Sequence, residues 1–289
     1  MSASAFAPAK VNLFLHVGPP QPDGFHPLSS LMVFADVGDH LRMEPSDRRE
    51  LALTGEFGQG LSGEGDNLID RAVRALFARA GRDEPAFRIV LDKALPIAAG
   101  LGGGSSDAGA ALRLVRDHFA LDVDDDGLEA VAASLGSDGA ACFRAWPALA
   151  CGRGEQLTRL EGLPSLDAVL VNPRAPSPTG AVYRAYDAAG APGSDAAPDL
   201  PERFAGAREA AAFFSACRND LEAPAVALTP VIGSVLERLR AEPLSLMARV
   251  SGSGATCFSL CVGPDQAQAL ATRVAQAESG WWVRACRLG

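Results

Sequence analysis

Residues 96–107 read Pro96-Ile97-Ala98-Ala99-Gly100-Leu101-Gly102-Gly103-Gly104-Ser105-Ser106-Asp107, with four glycines in the five positions from Gly100. Phe87, Ile89 and Leu91 mark a strand leading in, and Ala108 to Val115 reads as a helix leading out. Glycine permits positive φ and lets a ligand approach with no Cβ in the way. Successive N–H groups in such a turn point into one concavity that holds an anion. The helix behind adds its own N–H groups and the positive end of its dipole. A polyphosphate is the natural guest for that geometry. A flexible linker would need neither the apolar lead-in, nor two serines, nor an immediate helix start. The loop is not a P-loop, because no lysine follows the glycines. It is not a dinucleotide fingerprint either: the sixth position from Gly100 is Ser105, and from Gly102 it is Asp107.

A chain of 289 residues holds one large domain or two of ordinary size. An apolar share of 48% supports a core, and 21% charged residues is unlike a disordered chain. The net charge is −9 and no Lys/Arg cluster is visible, which argues against a nucleic-acid partner. Arginine far outnumbers lysine, so the few lysines, Lys10 and Lys93, stand out. The six cysteines form no C-x-x-C pair and show no zinc spacing with the four histidines. Reduced thiols in a cytoplasmic protein are the expectation. Residues 1–8 lack the basic region and apolar run of a signal peptide. No apolar stretch is long enough to span a membrane.

Along the chain, Val11, Leu13, Leu15 and Val17 share one face of a strand, which leaves Lys10 and Asn12 side by side on the other. A Pro/Gly-rich loop, 18–27, ends in Phe25-His26. Strands are expected at 29–37 and 39–44, then a glycine-rich loop at 55–65. A helix over 67–80 follows, with Asp66 as N-cap and Gly81 just past its end. Asp124-Asp125-Asp126 starts a helix to Leu135, and Asp138, between Gly136 and Gly139, has N-cap character. The second half reads as strands at 148–151, 156–160 and 167–171 and a helix at 181–188. A surface loop at 190–201 leads to helices at 205–216 and 221–239. The turn Val250-Ser251-Gly252-Ser253-Gly254-Ala255-Thr256 opens a strand, a helix to about 278 and a closing strand, 281–286. This is a small α+β layer, distinct from the first half.

Ala7-Pro8-Ala9-Lys10-Val11-Asn12-Leu13, with Asp23-Gly24-Phe25-His26 and Leu28, resembles the first motif of the GHMP small-molecule kinases. Residues 96–107 resemble that family's ATP loop, and Leu135-Gly136-Ser137-Asp138 its catalytic-aspartate stretch. Ser251-Gly252-Ser253-Gly254-Ala255 resembles its third motif, and Arg218-Asn219-Asp220-Leu221-Glu222 also fits. The matches come in family order and span nearly the whole chain. The Ala-Lys-Val-Asn and Asp-Gly-Phe-His pieces are most similar to the branch that phosphorylates a cytidine diphosphate derivative on the non-mevalonate route to isoprenoids.

The resemblance implies a two-domain α+β GHMP kinase fold. Its N-terminal domain, 1–155, would resemble domain 2 of ribosomal protein S5. Its C-terminal domain, 156–289, would be ferredoxin-like, with the active site in the cleft between them. Lys10 and Asp138 would be the catalytic pair, Asp138 acting on the substrate's 2-hydroxyl. Residues 96–106 would wrap the phosphates of ATP, the phosphoryl donor, with Mg²⁺ carried on those phosphates. No protein ligand set for the metal is evident, Ser105 or Ser106 being the candidates. Asn12 would contact substrate and His26 would hydrogen-bond the cytosine. Phe25 would stack on that base, where the family usually has tyrosine, and Tyr183 would close its other face. Two departures stand in the sequence: Asp138-Gly139-Ala140 where Asp-Val-Pro is common, and Pro20-Gln21-Pro22 in place of a glycine and a basic residue. The partners implied are small molecules, with neither nucleic acid nor membrane, for a monomer or homodimer. The alternatives are another GHMP kinase, for homoserine, mevalonate or a sugar, or a non-catalytic nucleotide-binding regulator. The regulator would have lost the lysine or the aspartate, and both are present.

Overall fold

The computed structural model describes residues 3–61, 67–190 and 193–289. The first third carries strands β1 (Ser4–Val17), β2 (Leu28–Glu44) and β3 (Glu50–Thr54), helix α1 (Leu68–Arg79) and strand β4 (Arg88–Asp92). Helices α2 (Gly103–Phe119), α3 (Asp125–Leu135) and α4 (Gly139–Arg144) follow, then strands β5 (Ala148–Gly152), β6 (Gln156–Arg159) and β7 (Leu166–Asn172). The remainder is α5 (Thr179–Ala188), α6 (Ala207–Ala216), α7 (Glu222–Leu228), α8 (Val231–Arg240), β8 (Met247–Val250), β9 (Cys257–Leu260), α9 (Pro264–Ala277) and β10 (Trp282–Leu288). No helix among the described residues is long and apolar enough to cross a membrane.

By compactness the chain divides into two units, neither of them one continuous segment. The first comprises Met1–Ala9, Gly38–Ile97 and Gly102–Ala145. In it the C-terminal part of β2 pairs antiparallel with β4, and β4 pairs parallel with β3. Ile69, Leu76 and Phe77 of α1 pack with Leu112 and Val115 of α2, Leu128 of α3 and Phe143 of α4, over Ile89 and Leu91 of β4. The α1 start falls at Asn67, whose Oδ1 accepts from Ile69 N–H at 2.9 Å. Asp66, the expected cap, lies outside the described residues. The helix stops at Ala80, and Gly81 follows with φ 62°.

The second unit comprises Lys10–Val37, Ala98–Leu101 and Trp146–Gly289. The N-terminal part of β2 pairs with β5, and β5 forms a hairpin with β6. A four-stranded antiparallel layer runs in the order β10-β7-β9-β8. Taken in sequence as strand, helices, two strands, helix, strand, it has the β-α-β-β-α-β pattern of the ferredoxin-like fold. Val169 and Val171 of β7 are buried with Val182, Ile232, Val235, Leu270 and Val274 from the helices.

Three expectations are corrected. The two strands expected on either side of Gly38 are one continuous β2. Gly38 does not break it; a Cβ there would lie 2.1 Å from the carbonyl oxygen of Ala7, so glycine serves close approach of the backbones. The single helix expected over 221–239 is two, α7 and α8. Thr229, which precedes Pro230, leaves the helical region at φ −133°, ψ 80°, as a residue before proline tends to. Strand β8 was not foreseen.

Candidate active site

The glycine loop divides between the units: Ala98–Leu101 belong to the second, and Gly102 onward to the first. In the first unit Gly102 takes the N-cap position of α2 in the left-handed region, φ 63°, with no side-chain cap and no acid in the helix's first turn. The helix therefore carries no acid of its own in its opening turn, Gly103-Gly104-Ser105. Gly104 is exposed and Ser105 half-buried. Ser106 is fully buried, and its Oγ has no partner.

Beneath that turn lies a buried ionic cluster. Lys93 Nζ donates to Asp39 Oδ2 at 2.5 Å and to Asp107 Oδ2 at 2.7 Å. Asp39 Oδ1 accepts from the N–H groups of Ala94 and Leu95, at 2.7 and 2.8 Å, and so fixes the chain entering the loop. Asp107 Oδ1 is buried with no partner. Burial pushes the Asp107 carboxyl up to about 7, with Lys93 opposing the rise and Asp39 adding to it. Burial alone would lower Lys93, but the two carboxylates outweigh it and hold the ammonium charged. Lys93 is thus committed to the loop's foundation. Among the described residues no group of three His, Cys, Asp or Glu side chains is arranged to hold a metal ion.

Asp138 occupies the N-cap position of α4, yet its side chain makes no capping bond. Asp138 thus holds the expected N-cap position but not through a side-chain capping bond. Gly139 explains one departure from the family pattern: a Cβ there would meet the Ala132 carbonyl oxygen at 1.9 Å, so the α3–α4 corner accepts only glycine.

In the second unit, the polar face of β1 is buried with partners. Lys10 Nζ donates to Asn12 Oδ1 at 2.8 Å, Asn12 Nδ2 to Ser30 Oγ at 2.7 Å, and Ser30 Oγ to the Phe14 carbonyl at 2.6 Å. This chain of bonds fixes the Asn12 amide and aims Lys10. The third motif meets the glycine loop here. Ser251 Oγ donates to Gly100 O at 2.9 Å and accepts from Asn12 N–H at 3.2 Å. Lys10 N–H donates to Leu101 O at 2.7 Å, and Thr256 N–H to Ala99 O at 3.1 Å. Gly100 has φ 74°, and a Cβ there would sit 2.2 Å from Ser251 O. Asn219 Nδ2 secures the other side of the motif by donating to Val250 O and Gly252 O, each at 2.8 Å. Thr179 Oγ1 lies 3.0 Å from Ser253 Oγ.

His26 is buried. Its Nδ1–H donates to Gly18 O at 2.9 Å, and its Nε2 lies 3.1 Å from Asp187 Oδ1. Tyr183 packs against the imidazole at 5.3 Å between centroids, tilted by 38°. Phe25 stands out from the turn beside it, 55% exposed. Lys10, Asn12, the loop at 98–101, the third motif, His26 and Tyr183 thus share one unit, while Asp138 and residues 102–106 belong to the other. Sequence reading missed three residues that hold these groups: Ser30, Asn219 as the anchor of the third motif, and Asp187. Only Asn219 carried a signal, as part of a family motif.

The GHMP kinases N terminal domain family matches residues 67–145, and the GHMP kinases C terminal family matches residues 196–279. The 4-diphosphocytidyl-2-C-methyl-D-erythritol kinase of Caulobacter vibrioides (strain NA1000 / CB15N) is 59% identical over 289 residues, covering 100% of both chains. The enzyme of that name from Hyphomonas neptunium is 48% identical and covers 100% of this chain and 97% of its own length. A crystal structure of 4-(cytidine 5'-diphospho)-2C-methyl-D-erythritol kinase is 36% identical, with a TM-score of 0.79 and 99% of each chain covered. A homoserine kinase from Cytophaga hutchinsonii shares the fold at 18% identity and a TM-score of 0.68, over 98% of this chain and 94% of its own. Full-length identity at this level, on a glycine loop, third motif and β1 network assembled as above, means that the chain belongs to the GHMP kinase family.

Proposed function

We propose that the protein transfers the γ-phosphoryl group of ATP to the 2-hydroxyl of 4-diphosphocytidyl-2-C-methyl-D-erythritol, giving the 2-phosphate and ADP on the non-mevalonate route to isoprenoid precursors. The observation that carries this reading is the 59% identity along the whole chain to a kinase of that name. The buried Lys10–Asn12–Ser30 network supports it, because the resemblance sets substrate contact on this strand.

Phosphoryl transfer asks the protein mainly to align donor and acceptor and to stabilise charge. The uncapped opening of α2 and the backbone of residues 96–106 cradle the ATP phosphates. Mg²⁺, when bound on those phosphates with Ser105 or Ser106 as the candidate protein ligand, would neutralise part of their charge. Asp138 accepts the proton of the attacking hydroxyl, and Lys10 supplies positive charge beside the reacting groups. Asn12, its amide fixed by Ser30, orients the acceptor. Phe25 stacks on the cytosine, His26 contacts it, and Tyr183 bounds its other face. The six cysteines form no disulfide among the described residues, which agrees with a reducing, cytoplasmic setting. The enzyme works on small molecules as a monomer or homodimer, with no nucleic acid or membrane partner.

The test is turnover with ATP over a panel of acceptors: the cytidine diphosphate derivative, the free methylerythritol phosphate, homoserine and mevalonate. Activity confined to the first is expected. Phosphorylation of one of the others in preference would assign the chain to a different GHMP activity. Binding of ATP with no turnover of any acceptor would favour a regulator.

A further inference from the structure

Phe25 is presented by a closely bonded turn. Gln21 N–H donates to Phe25 O at 2.7 Å, and Gly24 N–H to Gln21 O at 2.8 Å. Gly24 supplies the positive φ, 82°. Asp23 Oδ1 accepts from Phe25 N–H at 3.1 Å. Its other oxygen, Oδ2, accepts from Nη2 of Arg153, which lies in the turn between β5 and β6. The Arg153 guanidinium carbon in turn sits 4.4 Å from the centre of the Phe25 ring. The Phe25 N–H first, and Arg153 second, hold the Asp23 carboxyl below the usual carboxylate range. One carboxylate therefore ties down both the backbone of Phe25 and the plate that lies over its ring.

We infer that Arg153, clamped by Asp23, is a positioning residue for base recognition: it covers one face of Phe25 so that the other stands ready for the pyrimidine of a cytidine diphosphate ligand. The inference rests on the reading above, in which Phe25 stacks on the base. An exposed phenyl ring is free to rotate, and ordering it on binding weakens affinity. Tyrosine, the residue the resemblance expects here, has a hydroxyl by which to be anchored, and phenylalanine has none. A planar guanidinium stacked on one face supplies the missing restraint. Attraction for the ligand's diphosphate is not its role, because Asp23 neutralises it and Glu155 Oε2 accepts from its own N–H at 2.5 Å. The order guanidinium, phenyl, base makes a three-layer stack with one vacant layer. Such a brace acts on the binding of the acceptor and not on the transfer step.

The test compares Arg153→Ala, Arg153→Lys, Phe25→Leu and the Phe25→Leu/Arg153→Ala double variant. All alter exposed side chains, and thermal unfolding verifies that each is folded. The readouts are calorimetric binding of cytidine 5'-diphosphate and steady-state kinetics. Arg153→Ala should raise the Kd for cytidine 5'-diphosphate and the acceptor KM by roughly threefold to tenfold, with the loss confined to those constants. Arg153→Lys should recover only part of it, because an ammonium is no plate. In the Phe25→Leu background, removing Arg153 should add nothing further. A wild-type Kd in Arg153→Ala, while Phe25→Leu binds weakly, overturns the brace and leaves the stacking role standing. Equal losses from Arg153→Ala with and without Phe25 also overturn it, since Arg153 would then act on the ligand directly. Wild-type affinity in Phe25→Leu brings down the stacking reading itself.

Discussion

Asp107→Asn should make the protein more stable at pH 8 and change little near pH 4. In the folded protein the Asp107 carboxyl is buried, one of its oxygens has no partner, and its pKa stands at about 7 against 3.8 for the free side chain. Between those two values the native state holds a proton that the unfolded chain has lost. Stability from this group therefore falls as pH rises from about 4 to about 7 and is level above. The full rise corresponds to roughly 4 kcal/mol. Roughly 2–3 kcal/mol of it falls between pH 5 and pH 8 by linkage. Asparagine is a permanent mimic of the neutral acid. It keeps an oxygen for Lys93 Nζ, and Lys93 keeps Asp39. Denaturant unfolding of both proteins at steps from pH 5 to pH 8 gives the difference directly, since every other titrating group is common to the two. That difference should grow with pH by roughly 2–3 kcal/mol in favour of the variant. A constant difference, or one that swings toward the wild type as pH rises, would refute the reasoning. It would show that Lys93 keeps Asp107 ionised throughout.

Asp138→Asn should lower kcat by roughly 10²–10⁴-fold, the range of a lost general base, with ATP affinity by calorimetry unchanged; undiminished turnover would remove Asp138 from the reaction. Gly100→Ala combines left-handed strain of roughly 1–2 kcal/mol with a Cβ 2.2 Å from Ser251 O. It should lower the Tm and raise the KM for ATP, and a wild-type value of both would contradict the packing described. Asn219→Ala leaves two carbonyls of the third motif without their donor. It should lower stability by roughly 1–3 kcal/mol, read as a shift in denaturant midpoint.

What was legible in the sequence is what chemistry writes locally. The glycine loop, the helix behind it and the alternation that sets Lys10 beside Asn12 follow from residue type and spacing over fewer than about a dozen positions. The end of α1 at Gly81 was readable for the same reason, whereas its cap is Asn67 and not Asp66, and α2 begins at Gly103, five residues before the expected Ala108, because the loop's own glycines form its first turn. What was not legible comes from partners distant in sequence. Lys93 stood out as one of few lysines, but its use depends on Asp39, 54 residues earlier, and Asp107, 14 residues later. Ser30 and Asn219 are ordinary in sequence, and only the pairing of strands and loops gives them Asn12 and the third motif. Gly38 reads as a strand breaker until the Ala7 carbonyl is seen beside it. At four residues, β8 is too short for its alternation to register.

The discontinuous make-up of the two units bears on how such an enzyme diversifies. The chain passes from one unit to the other after Ala9, Val37, Ile97, Leu101 and Ala145, and two of those passages fall inside the glycine loop. No single splice point, at residue 155 or elsewhere, yields a piece with all of one unit and none of the other. Recombination between relatives would have to cut in five places to exchange a unit whole, twice within the glycine loop. On the base-recognition reading proposed above, new acceptor specificity in a scaffold of this kind is reached by substitution at surface turns such as 18–27 and 152–155, and not by trading modules.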